Sequence, residues 1–177
     1  MSTWRHGWGN SNPNTNEVGD DFHPRFSATG KHYRYTILAR PDRSPRWRDR
    51  AWHVPEPLSL PQMIEASRAL LGEHDFSAFR AAGCTAKTAR RRIDAVGVTR
   101  SEELVEVDVR GNAFLRNMVR ILVGTLAEVG THHRPIGQVG EILASRDRTK
   151  AGKTAPAHGL ELMEVRYDGT RVSSGGA

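Results

Sequence analysis

Arginine is the residue type best placed to do chemistry in this sequence. Arg90, Arg91 and Arg92 are consecutive, Arg43, Arg46, Arg48 and Arg50 form a looser set, and Arg116 and Arg120 stand four apart. A guanidinium is a planar fork that grips phosphate with two hydrogen bonds and stacks on flat rings, whereas a lysine is only a point charge. Clustered arginine beside aromatic residues is how many proteins hold a nucleic-acid backbone. The bland alternatives are a solvated surface and the arginine bias of a GC-rich genome. Arg116 and Arg120 are the sharper pair, because a four-residue spacing puts both on one face of a helix. That face borders an apolar stripe, so an arginine there either snorkels to water or meets an acidic partner.

Other motifs fail on their spacing. Gly152-Lys153-Thr154 resembles the end of a phosphate-binding loop, but the required glycine five residues earlier is Asp147. His132 and His133 have no cysteine or carboxylate cluster at metal-ligand spacing, so no metal site is expected. There is no Gly-x-Ser-x-Gly elbow, and Cys84 reads as a small core residue rather than a nucleophile.

Positioning these side chains requires an ordinary globular domain. The 177 residues are enough to bury a core without staples. Lys plus Arg is 26 against 20 Asp plus Glu, a formal charge of +6, and only residues 31, 87, 150 and 153 are lysine. A single cysteine rules out an internal disulfide and favours a reducing compartment. No apolar run reaches the length of a membrane span. A soluble, cytoplasmic protein without membrane contact is expected.

The elements follow from periodicity. Tyr33, Tyr35 and Ile37 alternate with His32, Arg34 and Thr36, which predicts a strand over Lys31 to Leu38. Pro41 to Pro57 reads as an extended basic loop. Ser59 is a candidate N-cap for a helix ended by Gly72, and a short second helix is expected around Asp75 to Ala81. Ile93 to Thr99 and Val105 to Val109 read as a hairpin turning at Ser101 to Glu103. Leu115, Met118, Val119, Leu122, Val123, Leu126 and Val129 make a dense amphipathic helix ended by Gly130. A helix over Pro135 to Ser145 and a strand with Leu160, Leu162 and Val165 complete the order. The class expected is α+β, an antiparallel sheet backed by helices, over residues 20–168. Residues 1–19 and 169–177 are expected to be disordered.

Seven segments in order then resemble one family: Phe22 to Ala28, Lys31 to Tyr35, Gly72 to Arg80, Asn112 to Leu115, Met118 to Arg120, Asp147-Arg148, and Thr154 to Ala157 with Gly159-Leu160. They resemble the TruA-type tRNA pseudouridine synthases, from about Asp20 to Tyr167. The resemblance implies a pseudouridine-synthase-like C-terminal domain. It also implies cofactor-free isomerisation of uridine to pseudouridine in the anticodon stem-loop, with tRNA as partner and a homodimeric assembly. In that chemistry an aspartate attacks the flipped-out nucleotide, and the base detaches, turns and rejoins through carbon. By position, Tyr33 resembles the active-site tyrosine that packs on the target base, and Arg120 the arginine that pairs with the catalytic aspartate. A flipped pyrimidine needs a flat aromatic floor. A carboxylate in a partly dry cleft needs a cation to stay ionised. Arg25, Arg90, Arg91, Arg92 and Arg116 are the candidate RNA contacts.

The family's nucleophile lies in a Gly-Arg-Thr-Asp-Ala-Gly block ahead of the Phe22 segment, and no such block occurs among these 177 residues. Asp20 and Asp21 belong to the segment leading into Phe22 and do not replace it, and residues 1–16 do not resemble the family. The chain therefore reads as a C-terminal half, holding the tyrosine and arginine but not the aspartate, and inactive alone. The alternatives are a non-catalytic tRNA-binding module and an inert gene fragment.

Overall fold

A computed structural model describes residues 28–167 and 170–173. In chain order the strands and helices are β1 (Ala28–Ala39), β2 (Trp52–Val54), α1 (Leu60–Ser67), β3 (Gly72–Asp75), β4 (Arg90–Ser101), β5 (Leu104–Gly111), α2 (Met118–Gly130), α3 (Gln138–Ser145), β6 (Leu160–Tyr167) and β7 (Thr170–Ser173). Seven strands form one sheet in the order β3-β4-β5-β1-β6-β7, with β2 joined to β1. Every pairing is antiparallel except that of β2, which runs parallel to β1. Among the described residues no helix is long and apolar enough to cross a membrane.

The alternation read from β1 sets the architecture. Tyr33, Tyr35 and Ile37 face the same side as their partners Val109, Val107 and Val105 on β5, and Tyr35, Ile37, Val105 and Val107 are fully buried. The intervening positions are polar, as the two-residue period of a strand requires. There the His32 Nε2–H donates to Asp108 Oδ1 at 2.6 Å, and Arg34 Nε donates to the same oxygen at 3.1 Å. The apolar side is covered by the helices. α2 is buried at eleven named positions, from Met118 to Gly130, so it is enclosed nearly all round rather than lying at the surface.

Four expectations need correction. The basic loop over residues 41–57 holds a 3-10 turn at Pro45–Trp47 and the strand β2; only pairing with β1 makes Trp52–Val54 a strand, and it leaves the sheet mixed rather than purely antiparallel. The helix expected over Asp75 to Ala81 is a single 3-10 turn, Ser77–Phe79, and the residues before it form β3. Gly-Glu-His-Asp has no apolar alternation to signal a strand; the ladder to Arg90–Ile93 supplies it. α2 begins at Met118, not Leu115, because Asn117 sits at φ 59°, a left-handed conformation that asparagine tolerates better than most residues. Within the tail expected to be disordered, Thr170–Ser173 pairs with β6 as β7. The disorder expected for residues 1–19, the Phe22 segment and Arg25 fall outside the described residues.

One turn carries a pH-dependent contribution. Asp75 Oδ1 accepts from Ser77 N at 3.0 Å and from Ser77 Oγ at 2.6 Å, and Oδ2 lies 3.5 Å from Arg146 Nε. These donors, the Ser77 hydroxyl first, hold the carboxyl below its usual range. A carboxylate with a depressed folded-state pKa stabilises fully above its unfolded value and loses that contribution as pH falls through the folded one. Asp75→Asn is expected to cost roughly 1 kcal/mol at neutral pH, given the partial exposure of the group. Thermal melts of the two proteins should converge only once the pH falls below the ordinary aspartate range and through the depressed folded-state value.

Candidate functional site

A cleft of about 1080 Å³ opens between the start of β1, the 83–88 loop and the 113–117 turn that leads into α2. Lys31, Lys87, Arg91, Arg116 and Arg120 all line it, and among the described residues no Asp or Glu does. A concave wall of one charge sign focuses the field on an anionic ligand.

Tyr33 stands in this wall, half-buried, edge-on to Phe114 with ring centroids 5.3 Å apart and planes at 90°. Burial pushes its phenol above the ordinary value, so the ring stays neutral across physiological pH and offers an uncharged face. Arg120 sits on the first turn of α2. Its Nε donates to the Ala155 carbonyl at 2.6 Å and its Nη1 to Asn117 Oδ1 at 3.1 Å. Of the two outcomes the sequence left open, snorkelling or an acidic partner, neither describes Arg120 among the described residues: two neutral oxygens hold the guanidinium. Neutral acceptors fix the fork's orientation without cancelling its charge, which remains available to an incoming carboxylate or phosphate.

The segment that fixes Arg120 joins the Gly152-Lys153-Thr154 motif, which fails as a phosphate loop, to the family-like block that begins at Thr154. Residues 152–155 run along α2 as a strap. Gly152 N donates to Thr125 Oγ1 at 2.9 Å, Lys153 N to Glu128 Oε1 at 3.1 Å, and Ala155 N to the Arg120 carbonyl at 3.1 Å. Gly124 permits this approach, since a Cβ there would overlap the Lys153 carbonyl oxygen. Tyr35 contributes by donating its hydroxyl to the Pro156 carbonyl at 2.7 Å.

The arginine run divides by strand alternation. Arg91 faces the cleft, whereas Arg90 pairs with Glu73 at 3.1 Å and Arg92 with Asp94 at 2.7 Å, both in exposed positions outside it. The Arg91 Nε is buried without a hydrogen-bond partner among the described residues, and its Nη1 donates to the Thr88 carbonyl at 3.1 Å. Arg116 does not share a helical face with Arg120, because it precedes the Asn117 turn; it still reaches the same cleft, exposed. Cys84, expected in the core, packs against it only in part and also lines the cleft. The backbone N–H of Arg116, then that of Ala86, with the Arg80 side chain adding less, hold its thiol below the usual range. The largest contribution, from Arg116, comes from a turn about thirty residues away and leaves no local signal in the sequence, whereas Ala86 and Arg80 are near neighbours of Cys84.

A tRNA pseudouridine synthase family profile matches residues 66–168. The chain is 55% identical over 148 residues to tRNA pseudouridine synthase A of Syntrophotalea carbinolica, which covers 84% of this chain and 59% of the relative. It is 51% identical over 146 residues to the protein of that name from Geobacter sulfurreducens, covering 82% and 60%, and 44% identical over 153 residues to that of Gluconobacter oxydans, covering 86% and 56%. The chain thus spans less than two thirds of the length of these relatives. With the fold, the cleft and this match over more than half its residues taken together, the chain belongs to the tRNA pseudouridine synthase family.

Proposed function

We propose that this chain binds tRNA in the cationic cleft and contributes Tyr33 and Arg120 to uridine isomerisation in the anticodon stem-loop. The observation that carries the reading is the convergence of Tyr33, Arg120 and four further cations on one cleft whose wall, among the described residues, holds no acidic side chain. The Tyr33 ring and Phe114 offer the aromatic floor a flipped pyrimidine needs, while Lys31, Lys87, Arg91 and Arg116 meet phosphates. Arg120 would face the attacking aspartate, which comes from outside these 177 residues. The net reaction breaks the N1–C1′ bond, forms C5–C1′, and exchanges the C5 hydrogen for a proton on N1, so it requires no cofactor. The cytoplasm and a homodimeric assembly complete the reading on family resemblance.

The same acid-free wall favours, as a second reading, a tRNA-binding module that is not catalytic by itself. Release of tritium from tRNA labelled at uridine C5 separates the readings. The purified chain is expected to bind tRNA but release no tritium. Adding a polypeptide with the Arg-Thr-Asp block is expected to start release if the chain supplies half of an active site, and to have no effect if it is only a binding module. Release by the chain alone would refute an external nucleophile, and failure to bind tRNA would refute both readings.

A further inference from the structure

A second concave site lies where β1 changes partners. From Ala28 to Tyr35 its edge pairs with β6, and from Ile37 to Ala39 with β2. The junction between those two strands leaves a pocket of about 450 Å³, walled by the Pro45–Trp47 turn, β2, and the Pro156–His158 stretch. Its floor is apolar, formed by the buried side chains of Leu38 and Ala51. Two indoles line it. Trp52 is braced by an edge contact with Tyr35, centroids 6.4 Å apart, and Trp47 is half-exposed with the Arg46 guanidinium 5.3 Å from its ring centroid.

Apart from the Ser44 hydroxyl and the indole N–H groups, the polar side chains lining this pocket are guanidinium or imidazole. Arg43 and Arg48 line it, are exposed, and have no ion-pair partner among the described residues. His53 Nε2–H donates to the Arg40 carbonyl at 2.8 Å, and His158 Nε2–H to the Ala51 carbonyl at 3.1 Å. A carbonyl can only accept, so Nε2 carries the proton in both rings and Nδ1 is left as an acceptor in the neutral form. Among the described residues no carboxylate lines the pocket. It therefore offers two aromatic faces, two guanidinium forks without an ion-pair partner among the described residues, and two imidazole acceptors around an apolar floor.

We infer that this pocket is a subsite for a single unpaired ribonucleotide, with the base stacked on Trp47 and the phosphate held by Arg43 and Arg48. The flat apolar surface fits a base, which an inorganic anion would not use. The paired guanidinium groups fit a phosphate, which an apolar peptide would not use. The imidazole acceptors can take an exocyclic amine or a ribose hydroxyl. The inference rests on the proposal that the chain binds RNA and adds a point of contact separate from the cleft. The Pro156 carbonyl that receives the Tyr35 hydroxyl belongs to the same stretch that walls this pocket. The nucleotide can belong to an RNA strand or be free, and the two sources differ in how they bind.

The test measures binding of fluorescein-labelled hexauridylate to the full chain by anisotropy, with unlabelled uridine monophosphate as competitor. Variants are Trp47→Ala, Arg43→Ala with Arg48→Ala, and Lys31→Ala with Arg91→Ala in the cleft, each checked by thermal melting. Trp47→Ala is expected to weaken hexauridylate binding about tenfold, the scale of one lost base stack. The Arg43/Arg48 pair should lower the log–log salt slope by about 1.4, as for two phosphate contacts to a single strand. Competition by uridine monophosphate that Trp47→Ala abolishes identifies a pocket for free nucleotide. Loss of hexauridylate binding without such competition identifies one that requires a strand. Two outcomes would overturn the inference: pocket variants within twofold of the parent and with its salt slope, or displacement of hexauridylate by polyglutamate with no effect of Trp47→Ala. If the cleft variants weaken binding while the pocket variants do not, only this inference fails. If the parent binds no RNA, the RNA-binding reading fails with it.

Discussion

The Gly124→Ala variant is expected to lose about 2–4 kcal/mol of folding stability, although alanine is the better helix former. On propensity alone the change would gain up to about 1 kcal/mol in a helix interior. Gly124 is in α2, however, where a Cβ would overlap the Lys153 carbonyl oxygen and lie 3.0 Å from its carbon. That neighbour is backbone. It cannot rotate away, and moving it strains the hydrogen bonds that tie residues 152–155 to Thr125, Glu128 and Arg120. The loss should extend to the site, because Arg120 is aimed by the Ala155 carbonyl. The matched control is Gly140→Ala in α3, where the added methyl meets only the Ala69 side chain at 3.6 Å. Thermal or urea melts should show the first variant strongly destabilised and the second unchanged or slightly stabilised. A Gly124→Ala protein as stable as the parent would show that the strap does not lie against α2.

Charge reversal along the arginine run should have unequal effects. At 150 mM salt Arg91→Glu is expected to weaken tRNA binding at least tenfold, whereas Arg90→Glu and Arg92→Glu change it less than threefold. The side chains are adjacent in sequence and chemically identical. Only Arg91 lines the cleft, and it carries a buried donor without a partner among the described residues. Arg90 and Arg92 point away and are engaged by Glu73 and Asp94. At this ionic strength the Debye length is about 8 Å, so a charge outside the cleft acts only weakly on a ligand inside it. Filter binding across a salt series measures both affinity and slope. Equal losses at all three positions would mean the run acts as a diffuse basic patch, and the cleft would then not be the principal contact surface.

What the sequence determined by itself was whatever has a local periodic cause. The alternation around Tyr33 and Val107 marks β1 and β5, and the apolar repeat from Met118 to Val129 marks α2, because strand and helix geometry project side chains at fixed periods. Seven short segments were enough to resemble the family, and among them Tyr33 and Arg120 stood out as an aromatic floor and a cation. Tertiary structure alone decided the features whose partners are distant in the chain. β2 and β3 are strands only because β1 and β4 offer them hydrogen bonds. Arg120 is held by the Ala155 carbonyl and the Asn117 side-chain oxygen, partners that no spacing in the sequence indicates. Cys84 reaches the cleft, and Arg91 alone of its run does so, because the sheet and the 113–117 turn place them there. Backbone hydrogen bonding and close packing act through space and leave no period in the sequence to read.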